Sequence, residues 1–285
     1  MVSPDRRRIA VRMLMERFGA SERLVCRVVG QHRSTQRRPR RAPDDAEVRL
    51  RRRLREIARE HPRWGWRKAH QVARREGLVV NPKRTRGLWR DERLQRPPQR
   101  RAKRRRLGDG STARLRATAP NEVWALDFQF DETTNGRRLK LLNVVDEFTR
   151  QALAIHIDTT IDSDQVIEIV QGLVRQRGAP RFLRMDNGPE MVAHALRDWC
   201  RIWGTTTSYI SPGSPWETPF IESFNGRLRD ELLNTEDFLG LTDARVVIED
   251  WRIQYNSYRP HHALNGLTPD EYATQWASNR QPEHA

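Results

Sequence analysis

Six carboxylates in the second half of this 285-residue chain sit where an acid is more than a solvated surface group. Asp127 falls in the middle of "EVWALDFQF" (122–130). Alternation there puts Trp124, Leu126, Phe128 and Phe130 on one face of a strand, and Asp127 with Val123, Ala125 and Gln129 on the other. A carboxylate in a half-buried strand must be paired, neutralised or bound to a metal ion. Asp146 ends the next apolar run and meets the same condition. Asp186, in "RMDNGPE", follows a short apolar strand, the end at which open α/β sheets gather their ligands; a plain Asp-Asn-Gly turn reads the same way. Glu217, Glu222 and Glu231 share "SPWETPFIESFNGRLRDELL" (214–233), where Phe220, Phe224, Leu228 and Leu232 form one apolar helical stripe. The residues alone leave open which of these acids is chemical.

The elements that must position them follow from the same patterning. Strands are expected at 122–130, 137–148 and 151–157, a helix at 162–177, a short strand at 181–185, a helix at 189–203, a strand at 205–210, and then the Glu222 helix. That order, βββαβαβα, predicts an α/β domain built on a mixed sheet with helices on its faces. On the last helix, residues 222, 225, 226 and 229 share a face. Arg229 stands about 10 Å along the axis from Glu222, where a guanidinium could hold an anionic group beside that carboxylate. Asn225 is a second candidate contact, and Gly226 leaves room for a backbone to approach. Pro219 fits only the first turn, so Glu217 belongs to the entry and Glu231 to the last turn, beyond the site.

The front of the chain differs in kind. Of 53 Lys/Arg and 37 Asp/Glu, residues 1–120 hold 37 basic and 12 acidic groups, a net of +25, against −9 for the remainder. A basic front half suits phosphate contact. Residues 62–95 read as helix, turn and second helix, with Asn81-Pro82 as cap and first position. Leu88 and Trp89 then point inward, and Lys83, Arg84, Arg86 and Arg90 outward. This is a helix-turn-helix pattern, with Arg84, Arg86 and Arg90 as DNA contacts. Residues 36–45 read as a linker, and 96–118 as a basic flexible tether with almost nothing to bury. The expected division is a helical arm (1–40), a helix-turn-helix region (41–95), a linker (96–118), a catalytic core (119–234) and a helical extension with tail (235–285). No segment reaches the roughly 18 apolar residues of a membrane span, so no membrane partner is expected, and a cytoplasmic, nucleoid-associated chain is. Cys26 and Cys200 are too few and too far apart for a disulfide framework or a zinc site.

Asp186 and Glu222 have 35 residues between them, and the strings "VWALDFQF", "LNVVDEFTR", "DNGPE", "SPWETPFIESFNGRLRDELLN" and "YNSYRPHHALNGLTPDEY" occur in order. Together they resemble the integrase-like DDE transposases of bacterial insertion sequences with two overlapping reading frames, specifically the second-frame (orfB-type) protein. The resemblance spans residues 62–275. It implies a ribonuclease-H-like catalytic domain with a five-stranded mixed sheet, preceded by an all-α helix-turn-helix region. It also implies that Asp127, Asp186 and Glu222 are the catalytic, metal-binding carboxylates, and that Asp146 is a motif residue and not a ligand. Thr218 and Met191 depart from the family's usual Asn and aromatic residue; Thr218 bears only on the shape of the loop entering the helix, and neither change replaces a carboxylate.

Three carboxylates suit hard divalent cations, Mg²⁺ above all, with two ions expected and Mn²⁺ able to substitute. The implied reaction is cleavage at an insertion-sequence end, then attack of the freed 3′-OH on target DNA. The implied partners are element-end and target DNA, a homo-oligomer on DNA, and a first-frame (orfA) product. Retroviral-type integrases carry a zinc module of two His and two Cys; this chain has no paired cysteines, and no zinc site is expected. His261 and His262 read as structural or DNA-facing. Roles for Tyr255, Asn256 and Arg259 do not follow from the sequence. The rivals are a DNA-binding-only repressor or inactive remnant, which needs no spaced carboxylates, and a ribonuclease-H-type nuclease, which needs no helix-turn-helix.

Overall fold

The computed structural model describes residues 4–38, 44–79, 81–95, 117–185, 200–209 and 219–279. The chain divides into two compact units, Met1–Val48 and Arg49–Ala285. The first holds α1 (Pro4–Phe18), α2 (Glu22–Val29) and α3 (Arg33–Arg37). Val11, Val25 and Cys26 form its small core. Ser21 caps α2, and Gly30 ends it in the left-handed region at φ 66°, a conformation that costs glycine nothing. The stretch expected as a linker from residue 36 begins inside α3, a five-residue helix that carries no apolar stripe to announce it.

Helix α4 (Asp45–Glu60) leads into the second unit, followed by α5 (Trp66–Arg75) and α6 (Pro82–Asp91). Leu50, Leu54 and Ile57, spaced at four and three, face Trp64, Ala69, Val72, Leu88 and Trp89 in one apolar cluster. Asn81 caps α6 by accepting from the Lys83 N–H at 2.9 Å, with Pro82 at the first position. Leu88 and Trp89 are buried as expected, and Lys83, Arg84, Arg86 and Arg90 are exposed.

The sheet comprises β1 (Val123–Glu132), β2 (Arg138–Asp146), β3 (Ala152–Asp158), β4 (Phe182–Met185) and β5 (Thr206–Tyr209), in the order β3-β2-β1-β4-β5. The first three pair antiparallel, while β4 lies parallel to both β1 and β5. This is the ribonuclease-H-like mixed sheet. Strand alternation sorts its two faces. Trp124, Leu126, Leu142 and Val144 pack against α7 (Ser163–Arg177). Ala125, Leu141, Val145 and Ile155 pack against α8 (Pro219–Leu228) and α9 (Leu241–Ser257). Most of the helix expected at 189–203 lies outside the described residues; residues 200–202 are helical. No helix among the described residues is long and apolar enough to cross a membrane.

The helix carrying Glu222 does not stay α-helical. Residues Arg229–Leu233 form a π turn, whose extra residue per turn keeps both Leu232 and Leu233 buried. The same widening sets Glu231 inward. Its carboxylate accepts two hydrogen bonds from Arg259 at 2.6 and 2.7 Å, one from Lys68 at 2.6 Å and one from the Trp64 indole at 3.2 Å. One acid thus joins the helix-turn-helix segment, the end of α8 and the "YNSYRPHH" motif. Around it, Tyr255 packs edge-on to Phe224 and His261. Asn256 accepts from the Ala152 N–H and donates to the Ala152 carbonyl, at 2.8 and 2.9 Å. The last helix, α10 (Pro269–Ser278), starts at Thr268-Pro269 with a full capping box.

Burial alone would raise the Glu231 carboxyl, but the Arg259 and Lys68 hydrogen bonds and charges bring it to about 2 from 4.5. Burial, with Arg259 and Arg227 beside it, pushes the His261 imidazole to about 2 from 6.5. Both groups bind fewer protons folded than unfolded, so each contributes stability that is present above its unfolded pKa and lost on acidification. The urea midpoint is expected to begin falling below pH 6.5 through His261 and to steepen below 4.5 through Glu231; a flat midpoint across that window contradicts this. Glu231→Ala strands the buried Arg259 guanidinium and should cost about 3–5 kcal/mol in urea unfolding.

Candidate active site

Asp127 lies in mid-β1, directly opposite Asn143 of β2, and both side chains leave the sheet toward α8. That face is otherwise apolar. Where Asp127, Gln129 and Asn143 interrupt it, Asn225 of α8 closes the gap. The Asn225 amide donates to Asp127 Oδ2 at 2.7 Å, and its oxygen accepts from Asn143 Nδ2 at 2.7 Å. Gln129 donates to the Asn225 backbone carbonyl and accepts from Asn143, both at 3.2 Å. Asp127 Oδ1 accepts from the Phe128 N–H at 2.9 Å. The expectation that Asn225 meets DNA gives way to a different placement: both ends of its amide are committed inside the protein, where they orient Asp127.

Glu222 is one turn before Asn225 on α8, and exposed. It makes no hydrogen bond or ion pair with a described residue. Helix α8 thus carries an exposed carboxylate one turn from the amide that holds Asp127. Asp186 lies outside the described residues, as do Glu217, Thr218 and Met191. The strand before it is well anchored. Arg184 of β4 places one nitrogen within 2.6 and 2.7 Å of the two Glu147 oxygens, and burial pushes the Glu147 carboxyl up against the pull of that arginine. β4 pairs with β1 at Val123–Ala125, two residues before Asp127.

Asp146, the rival to Asp127, is buried and fully engaged. It accepts from the Phe148 and Thr149 N–H groups at 2.8 Å and from the Asn121 N–H at 2.7 Å. These bonds tie the β2–β3 turn to the start of β1, a structural task. Arg229 donates to the Phe130 carbonyl of β1, which holds its guanidinium beside the sheet on the Glu222 side of the helix. Gly226 is exposed, and a methyl group at its α-carbon would meet nothing within 4 Å.

Sequence reasoning missed Asn143 and Gln129 as partners of the site. The available signal was a lone Asn inside "LKLLNVVD", a costly place for an amide in a buried strand without a polar neighbour. Among the described residues no group of three or more His, Cys, Asp or Glu is poised to hold a metal. Asp127 and Glu222 each offer the carboxylate oxygens that hard divalent cations take. Asn143 Oδ1 is buried beside Asp127 with no hydrogen-bond partner among the described residues, which fits a polar occupant at this edge.

Comparison with known proteins agrees with this architecture. Two models described as "Integrase core domain" match residues 117–215 and 203–269, and one described as "HTH-like domain" matches 45–103. The chain is 39% identical over 285 residues to the insertion element IS476 uncharacterized 39.2 kDa protein of Xanthomonas euvesicatoria, covering 99% of this chain and 82% of that one. It is 41% identical over 262 residues to the insertion element IS407 uncharacterized 31.7 kDa protein of Burkholderia multivorans, covering 92% and 94%. It is 29% identical over 256 residues to the Escherichia coli transposase InsD for insertion element IS2, covering 83% and 81%. A five-stranded mixed sheet of ribonuclease-H-like order, behind a helix-turn-helix segment in a chain matched along nearly its whole length by insertion-element proteins, places this chain in the family of insertion-element DDE transposases with an integrase catalytic core.

Proposed function

We propose that Asp127, Asp186 and Glu222 are the catalytic carboxylates of this transposase, and that together they hold Mg²⁺, with Mn²⁺ as a substitute, as a pair of ions. The observation that carries the reading is the Asn225 bridge, which fixes Asp127 to the helix bearing Glu222 at 2.7 Å. Asp186 follows β4, the neighbour of β1, by one residue. When bound, the ions would activate the attacking oxygen and steady the leaving oxygen of an in-line phosphoryl transfer.

The chain's own residues then have distinct tasks. Asp127, held by Asn225 and the Phe128 N–H, supplies a fixed oxygen donor. Glu222, exposed, supplies a donor that the DNA can approach. Arg229 neutralises a backbone phosphate next to them, and Arg84, Arg86 and Arg90 on the exposed face of α6 hold the element end. The reaction is cleavage at the insertion-sequence end followed by transfer of the 3′-OH to target DNA, carried out by an oligomer on DNA with or without a first-frame product.

A labelled element-end oligonucleotide incubated with target plasmid and Mg²⁺ tests the assignment. Glu222→Gln should lower strand joining by at least about 100-fold, on the scale at which single catalytic groups act; equal joining by the variant removes Glu222 from the site. Asn225→Ala should lower joining roughly tenfold and raise the Mg²⁺ concentration needed for half-maximal rate, with partial rescue at high Mg²⁺. A loss that ignores Mg²⁺ would make Asn225 merely structural. Replacing Arg84, Arg86 and Arg90 by Ala should weaken end binding and reduce its salt dependence by about one counterion for each arginine removed; unchanged affinity in an anisotropy titration takes α6 off the DNA.

A further inference from the structure

A second cationic feature of the protein faces away from the carboxylate edge. Around α8, Glu222 and Phe220/Arg227 are separated by some 140–160° at about 100° per residue, with Ser223 between. On the Phe220/Arg227 side lies a cavity of about 980 Å³, walled by the start of α5, the end of β2 and its turn, α8, and the loop after α9. Its wall carries six Arg or Lys residues and no Asp or Glu. Two of these, Lys68 and Arg259, are neutralised from beneath by Glu231. Arg67, Arg150 and Arg227 form no ion pair with a described carboxylate.

Two of the guanidiniums on this wall are set in fixed poses. Arg150, at φ 66°, lies 3.5 Å from the centre of the Phe220 ring, and its Nη1 is buried without a hydrogen-bond partner among the described residues. Arg67 lies 4.9 Å from the Trp66 ring centre. A guanidinium laid on an aromatic face loses little freedom when its N–H edge meets a phosphate, and it presents that edge in a forked geometry. Burying donors that the fold leaves unused costs free energy, and an anion in the cavity recovers it.

We propose that this cavity binds the backbone phosphates of a DNA strand running between the end held by α6 and the carboxylate edge. The inference rests on the transposase reading above. It adds a phosphate-binding site formed jointly by the helix-turn-helix segment and the flank of the catalytic helix. The contacts are to backbone, so they act on any sequence. They draw one DNA strand across both parts, which aligns the recognised end with the site of chemistry.

The test is an anisotropy titration of full-length protein with a labelled element-end duplex and a scrambled duplex, across a salt series. Arg67→Ala with Arg227→Ala should weaken both duplexes roughly tenfold and reduce the log–log salt slope by about two. Arg227→Lys, which keeps the charge, should recover most of the loss. Arg67 is exposed, and Arg67→Ala alone should remove about one unit of slope with the unfolding midpoint unchanged. Arg175→Ala, exposed on α7 across the sheet, should change neither quantity. Wild-type affinity and slope in the double variant overturn the cavity, and so does a loss confined to the element-end sequence. Competition by inorganic phosphate with no change in DNA slope identifies a free-anion site and overturns it as well. Strand joining separates the two readings: an intact Glu222 effect with a wild-type slope sinks only the cavity. A lowered slope with no strand joining by the wild type sinks only the transposase chemistry.

Discussion

The buried carboxylate of Glu231 is the contact on which the second unit of the protein depends. It lies in the π turn that ends the catalytic helix, and it accepts from Arg259, Lys68 and Trp64, side chains that belong to two distant stretches of chain. Three charges are thereby buried together, and none is tolerable alone at that depth. A buried ion pair adds little over apolar packing of the same volume, but removing one member leaves its partners unsolvated and unpaired. The cost is asymmetric, and it penalises any arrangement that separates the helix-turn-helix segment, the catalytic helix and the loop after α9. Arg259 also lies in the cavity wall with Lys68, so the same network that closes the packing sets the floor of a basic surface.

Helix α8 carries three kinds of face within three turns. Ile221, Phe224 and Leu228 bury against the sheet and α9. Asn225 meets the polar gap left by Asp127, Gln129 and Asn143, one turn from the exposed Glu222. Phe220, Ser223 and Arg227 line the basic cavity. The polar gap is expensive in an apolar interface, and hydrogen bonds among four side chains offset that expense. It also sets the register of α8 over β1, because only the Asn225 position reaches both Asp127 and Asn143. Holding Asp127 in place is thus a consequence of satisfying buried amides.

Much of this was legible in the sequence, for reasons that are local. Alternation in "EVWALDFQF" placed Trp124 and Leu126 on one face and Asp127 on the other, as the structure has it. Asn81-Pro82 and Thr268-Pro269 start helices because capping needs only neighbouring atoms. Asp127 attracted suspicion because a mid-strand carboxylate has few bland explanations. The misjudged or missing points are those with distant partners. The hydrogen bond of Asn225 to Asn143 could not be read because nothing nearby in the chain reveals a partner across 82 residues. Glu231 read as a leftover acid in a last α-helical turn, since a π turn has no simple signature. Tyr255, Asn256 and Arg259 had no derivable role because their partners are Phe224, Ala152 and Glu231, all far away along the chain.

The sequence by itself determined the order of the strands, the basic helix pair in front and the family to which the chain belongs, since each is written in periodicity, caps, composition or contiguous motif. Tertiary structure alone decided which polar residues are tools and which are fasteners. That distinction depends on who neighbours whom after folding. Asp146 and Glu231 are acids with every oxygen occupied by donors, while Glu222 stands exposed with no partner among the described residues. The side-chain types are alike, and the difference lies in burial and in partners that no local pattern encodes.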